Sequence, residues 1–301
     1  MYNHPRQLAI IGPTASGKSA LAIRIAKEID ADILSLDSLA IYKEIDIASA
    51  KPSYEEMDGV EHYGINLISV DEPFDVTIYM QLYKEIYEQS KAQKRTLIIV
   101  GGTSFYLKML LDGISQTPKL TDDTRKQLED MLRDISKSYD MLFQIDPQYM
   151  SKIARNDRYR IEKALSVYLA SDLLPSLYFK KNPPQAIIKD ILPIYEISIE
   201  KDYLFKRIEK RTEMMLQKGL IEEVYHLKEK YGIEPHCMKA IGIKETLDFL
   251  DDKIDQKELV ELISIHTRQL AKRQNTFNRT QFKKKISAQN DTIYEKIMGM
   301  F

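Results

Sequence analysis

The chain has 301 residues, 44% hydrophobic and 30% charged, with a formal net charge of −1, a composition that is globular rather than disordered and excludes a general polycation. Cys237 is the only cysteine, which excludes an intrachain disulfide and a cysteine-based zinc cluster. No apolar run reaches membrane-spanning length and no secretory pattern opens the chain, so a soluble, cytoplasmic protein without membrane contact is expected.

Gln7–Ile11 is an apolar run of strand length, and the stretch from Ser19 to Ile29 has amphipathic helical period. Between them lies Gly12-Pro13-Thr14-Ala15-Ser16-Gly17-Lys18-Ser19, which fits G-x-x-x-x-G-K-[ST] at every fixed position. A glycine-rich turn opening a helix aims backbone N–H groups and the positive helix end at a phosphate. Lys18 adds a point charge, and the Ser19 hydroxyl can ligate Mg²⁺. The motif predicts a bound di- or triphosphate without saying which. Asp32–Leu36 and Thr96–Val100 are two further strand-length runs, and Ile78 to Ala92 reads as a helix. The order implies βαβ units and a parallel sheet, with the ligand at the carboxyl ends of the strands. Gly12, Asp37 and Gly101 follow such ends and are expected to share one crevice.

From about Pro118 the texture becomes charged and helical, up to Pro183-Pro184. Ile191–Ile199 then returns to a strand-like run, and Tyr203–Tyr231 and Gln256–Phe282 have helical period. The tail after Lys285 carries no clear functional signal. The fold class expected is α/β: a P-loop NTPase-like parallel sheet core with helices on both faces and a helical insertion domain. The first part of the core is assigned to residues 1–115, the insertion to 116–190, and the return to the core, with long basic helices, to 191–301.

Asp37 ends the second strand run, while the Thr96–Val100 run ends in Gly101-Gly102-Thr103 rather than in the aspartate that P-loop ATPases place at a strand end. Asp37 can organise a metal, accept a proton from a nucleophile, or merely cap the following helix. Two other functions use the same loop. A small-molecule kinase would bind ATP and use the insertion as a lid, and an RNA-associated nucleotide switch would need a base-specificity motif that is not evident. His62 and His266 are isolated and carry no metal pattern.

Further motifs accompany Gly12–Ser19: Leu34-Ser35-Leu36-Asp37-Ser38, Tyr42, Asp46-Ile47 and Ala50-Lys51-Pro52. Val100-Gly101-Gly102-Thr103 with Tyr106, and Arg268-Gln269-Leu270-Ala271-Lys272-Arg273-Gln274, complete a set that resembles the tRNA dimethylallyltransferase family. The resemblance runs from about residue 8 to 282. It implies transfer of a dimethylallyl group from dimethylallyl diphosphate to N6 of the adenosine 3′ of the anticodon. It also implies that Gly12, Thr14, Ala15, Ser16, Gly17, Lys18 and Ser19 hold the diphosphate, with Mg²⁺ on Ser19. Asp37 would orient the adenine amine and take its proton, Thr103 would contact the adenosine, and Arg211 would meet the diphosphate.

For the tRNA anticodon stem-loop, the resemblance implies contacts from Asp37, Ser38, Leu39, Ala40, Thr103 and Arg125. It adds Tyr159, Arg160, Ile161, Glu162 and Lys163, then Lys239, Ala240, Ile241, Gly242, Ile243 and Lys244. Lys272, Arg273 and Gln274 close the set, Gln274 on a base edge. From Arg268 to Lys285 there are seven basic residues and no acidic one. Chemistry on a base edge requires the base to be splayed out of its stack, with basic groups on the backbone and aromatics on the base. The chain departs from the family pattern at Ala48-Ser49, where glycine-threonine is common, at Ile243, where tyrosine is common, and at Phe277, where tryptophan is common. A monomer is expected.

Overall fold

The computed structural model describes residues 6–301; residues 1–5, with which the first core segment was taken to begin, lie outside it. One compact unit comprises the chain up to Leu110 and from Ile188 to Phe301, and a second spans Leu111–Ile187.

The first unit is built on a six-stranded sheet in the order β3-β2-β4-β1-β5-β6. Its strands are β1 (Gln7–Ile11), β2 (Asp32–Leu36), β3 (His62–Tyr63), β4 (Leu97–Gly101), β5 (Ile194–Ile197) and β6 (Ile286–Ala288). Every pairing is parallel. All five β1 residues, Gln-Leu-Ala-Ile-Ile, are buried, as a central parallel strand covered on both faces requires. Leu8, Ile10, Ile33, Ile98 and Val100 share a core with Leu21, Ala22, Ile25 and Ala26 of the Lys18–Ile29 helix. The Val76–Ala92 helix is tied to the sheet elsewhere, through Tyr83 Oη to Gln7 Oε1 at 2.7 Å and Ser90 Oγ to Asp32 Oδ2 at 2.7 Å.

A second cluster joins Ile41, Tyr42 and Ile45, which follow β2, to Met215, Leu220, Val224, Ile243, Leu259 and Ile263 of the late helices. The stretch Tyr203–Tyr231, read from sequence as one helical segment, is two helices, Lys201–Gln217 and Leu220–Tyr231. Gly219 separates them at φ 99°, a conformation that ends a helix and that glycine adopts without steric cost. The tail, silent in sequence, forms β6 and the Asn290–Met298 helix, whose Ile293 and Ile297 are fully buried in the core that contains Leu21 and Ile25. β6 and the two-residue β3 are too short to show a period.

The second unit is wholly helical among its regular elements, with helices Asp122–Met131, Ile135–Ile145, Pro147–Met150, Arg158–Ser171 and Pro175–Lys181. Its core is Leu128, Leu132, Leu142, Met150, Ile153, Ile161, Ala164 and Leu165. Thr121, Asp134, Asp146 and Asp157 cap its helix starts with side-chain oxygens, which is why short helices of such polar sequence hold their ends. No helix among the described residues is long and apolar enough to cross a membrane.

Candidate active site

The carboxyl ends of β1, β4 and β2 are neighbours in the sheet, so the three loops that leave them are also neighbours. From β1 comes the Gly12–Ser19 loop. Gly17 heads the Lys18–Ile29 helix at φ 93°, and a side chain there would meet Asn290 Nδ2 at 2.9 Å. Lys18 is buried, and its Nζ donates to the loop carbonyl of Pro13 at 2.6 Å. Ser16 Oγ is buried without a hydrogen-bond partner among the described residues.

Distant residues hold this loop. Arg211 Nη1 donates to Thr14 Oγ1 at 3.3 Å, and Arg207 Nε donates to Ala15 O at 2.7 Å. Gln274 Oε1 accepts from Thr14 N at 2.8 Å, while its Nε2 donates to Gly102 O at 3.1 Å, beyond β4. Gln274, expected on a base edge from sequence, has both ends of its amide engaged inside the site. Arg207 was not singled out in sequence. Its signal was the spacing Arg207–Arg211, one helical turn, which puts both guanidinium groups on one face of the Lys201–Gln217 helix.

The electrostatics follow from this crowding. Burial, then Arg211, push the Lys18 ammonium down to about 7, with Asp37 opposing. Burial, then Arg207, lower Arg211 below its ordinary value, and Asp37 again opposes. Lys18, Arg207 and Arg211 gather basic groups around the loop, which favours an anion there, and Asp37 is a partial counterweight.

That carboxylate ends β2. Asp37 Oδ1 accepts from Leu39 N at 2.8 Å and Ala40 N at 3.3 Å, so one oxygen fixes the turn. Asp37 is half-buried, and Oδ2 is its remaining oxygen. Thr103 joins the ends of β4 and β2: its N–H donates to Leu36 O at 3.0 Å and its Oγ1 accepts from Ser38 N at 3.3 Å. Aromatic side chains line the same region. Tyr79 and Tyr106 lie 4.9 Å apart between ring centres, Phe74 meets Tyr106 at 6.0 Å, and Tyr42 meets Phe74 at 6.4 Å. Burial raises the Tyr79 phenol well above its ordinary value and the Tyr106 phenol to about 12, so both are neutral at physiological pH. Tyr79 was missed in sequence, where a buried helical face looks like ordinary core, and so was Phe74, a half-buried residue just before that helix.

The expected RNA-contact residues divide by exposure. In the second unit Arg125, Tyr159, Arg160 and Lys163 are exposed and Glu162 half-exposed. Arg160 is paired with the helix-capping Asp157 at 2.6 Å. In the first unit Ser38, Lys239, Lys244, Lys272 and Arg273 are exposed, and Leu39, Ala240 and Ile241 are half-buried. Three assignments are corrected as side-chain contacts: Ala40 is 4% exposed, and Ile161 and Ile243 are 0% exposed. Ile161 and Ile243 lie on the apolar faces of their helices and pack into the cores of their units; Ala40 is buried in the turn after β2. Gly242, also buried, heads the Ile243–Leu250 helix, where its N–H donates to Glu245 Oε2 at 2.7 Å. His62 Nδ1 lies 2.8 Å from Val60 O and His266 Nδ1 2.5 Å from Glu245 Oε1, so both rings serve packing.

An all-parallel sheet whose first strand feeds a G-x-x-x-x-G-K-[ST] loop and helix defines a P-loop-like α/β protein. A family model, IPP transferase, matches residues 40–281, and the chain belongs to that family. It is 52% identical to the tRNA dimethylallyltransferase of Sulfurovum sp. (strain NBC37-1) over 98% of each chain. It is likewise 52% identical to the tRNA dimethylallyltransferase of Sulfurimonas denitrificans, over 97% of this chain and 98% of that one. Among solved structures, a tRNA delta(2)-isopentenylpyrophosphate transferase from Staphylococcus epidermidis matches with a TM-score of 0.69 and 29% identity over 98% of each chain. A eukaryotic dimethylallyltransferase acting on tRNA matches with a TM-score of 0.83 and 25% identity, over 97% of this chain and 76% of that one. The relatives are prenyltransferases, and the kinase reading is set aside.

Proposed function

We propose that this enzyme transfers the dimethylallyl group of dimethylallyl diphosphate to N6 of the adenosine 3′ of the anticodon in tRNA and releases diphosphate. The observation that carries the proposal is the convergence, at one end of one sheet, of a cationic phosphate loop and the Asp37–Thr103 pair. The loop N–H groups, Lys18, Arg207 and Arg211 hold the diphosphate and stabilise the charge that grows on it as the C1–O bond breaks. The N6 lone pair, delocalised into the ring, is a weak nucleophile. Asp37 Oδ2 accepts a hydrogen bond from N6–H, aims the lone pair at C1, and takes the proton as the C–N bond forms. Leu39 and Ala40 N–H hold the other carboxylate oxygen, so the base is fixed before the substrate arrives. Thr103, tied to β2, contacts the adenosine.

Mg²⁺ fits the donor set. Ser19 presents an exposed hydroxyl in the first helical turn, and no cluster of metal-ligating side chains occurs among the described residues. One hard protein oxygen beside phosphate oxygens and waters is an ordinary Mg²⁺ arrangement. When bound, the ion supplies further neutralisation of the diphosphate.

The test is incubation with tRNA, Mg²⁺ and labelled dimethylallyl diphosphate, beside a parallel reaction with labelled ATP. Label passing from the prenyl donor into tRNA is expected. Stoichiometric ATP cleavage coupled to product formation would overturn the proposal.

A further inference from the structure

Gln274 belongs to both the basic helix and the phosphate loop. It lies on the Gln256–Gln281 helix directly after Lys272 and Arg273, whose side chains are exposed. Its own amide turns inward and spans two loops, accepting from Thr14 N at 2.8 Å and donating to Gly102 O at 3.1 Å. The fit at the second loop is close: a Cβ on Gly102 would lie 2.4 Å from Gln274 Nε2. Glycine at that position is therefore what allows the amide to reach both partners. The bridge fixes the orientation of the Thr14 peptide, and so of the loop around the diphosphate, relative to the Gly101–Thr103 turn on the adenosine side.

We propose that Gln274 is a positioning residue that couples RNA on the Lys272–Arg273 face to anion binding in the Gly12–Ser19 loop. The inference rests on the assignment above of tRNA to that face and of a diphosphate to that loop. The sign follows from entropy. Glutamine is among the side chains that lose most rotamer freedom when ordered. RNA phosphates on Lys272 and Arg273 immobilise the helical turn that carries Gln274. Less ordering is then left for the bridge, and the loop is held in its anion-binding shape. Each ligand therefore tightens the other, by the same factor in both directions.

The experiment measures the affinity of inorganic diphosphate in Mg²⁺ by calorimetry, without and with saturating anticodon stem-loop RNA. Wild type should bind diphosphate about tenfold more tightly with the RNA present, within the usual range for coupled sites. Two substitutions attack the bridge from opposite ends. Gln274→Met keeps the side-chain length and removes both hydrogen bonds. Gly102→Ala displaces the amide by contact, and it serves alone if the first variant fails to fold. Both should bring the affinity ratio close to one while each ligand still binds by itself. A wild-type ratio of one, or variants that keep the wild-type ratio, would overturn the coupling. So would a loss of RNA affinity that is equal with and without diphosphate, which is the signature of a direct base contact by Gln274. Prenyl transfer is assayed separately: a wild type that moves no prenyl group refutes the proposed reaction, whereas the ratio reads the coupling alone.

Discussion

Lys18 gives the sharpest test, because its environment makes diphosphate binding depend on pH in a calculable way. In the free protein, burial and the nearby Arg211 hold its ammonium at about 7. A diphosphate in the loop adds negative charge beside it and raises that value. Binding must therefore take up a proton wherever free Lys18 is neutral. The sign is fixed: affinity is full below pH 7 and falls as pH rises through the free-state value. With the bound value well above 9, the loss from pH 7 to pH 9 is about 50-fold. Calorimetry of inorganic diphosphate in Mg²⁺, in buffers of different ionisation enthalpy, measures the uptake directly. About half a proton is expected at pH 7 and nearly one at pH 9. Lys18→Met provides the baseline and subtracts titration of the diphosphate itself. Equal proton uptake in wild type and Lys18→Met would refute the reasoning. Folding stability gives an independent check. The folded value lies below the ordinary 10.5, so the folded chain binds fewer protons than the unfolded one between about 7 and 10.5. The penalty for Lys18 is thus complete at low pH and relieved as pH rises through that window. In denaturant titrations, Lys18→Met should exceed wild type by on the order of a few kcal/mol at pH 6, with the gap closing toward pH 10.

The other predictions concern single contacts. Asp37→Asn should lower the single-turnover rate of prenyl transfer roughly 10²–10⁴-fold while both substrates bind nearly as before, since the carboxylate acts mainly in the transition state. A near-normal rate removes Asp37 from the mechanism, and lost diphosphate binding in Mg²⁺ makes it a metal organiser. Arg160→Ala should weaken tRNA binding by about 1–3 kcal/mol, because its exposed pair with Asp157 competes only weakly with a charge-assisted RNA contact. Wild-type binding across a salt titration would exclude Arg160 from the interface. Charge reversal at Lys272 or Arg273 should reduce the salt slope of tRNA binding by about one unit if each meets a phosphate, and an unchanged slope refutes that contact. Truncation after Ala288 removes the helix that buries Ile293 and Ile297 and should cost about 3–6 kcal/mol in chemical denaturation; a loss under 1 kcal/mol would mean that the tail is not part of the core.

What sequence alone could determine was local. A strand, a phosphate loop and a helix lie within about twenty consecutive residues, and their chemistry is written in their order. Asp37 and Gly101-Gly102-Thr103 were legible because each directly follows a buried strand, and parallel strands carry their loops to the same edge. The break at Gly219 was present in sequence, but tolerance of a glycine within a helical period concealed it. Only the tertiary structure decided which distant groups reach the loop. Arg207 and Arg211 lie nearly 200 positions from it and Gln274 lies 260 from Thr14. Their arrival depends on the strand order β3-β2-β4-β1-β5-β6 and on the rotation of two helices about their axes. Packing likewise decided the faces of two other helices, turning Lys163 and Lys244 to solvent and Ile161 and Ile243 into the cores. A motif spells residues in a row, whereas a helix presents its neighbours to different sides, and only packing fixes which side faces the substrate.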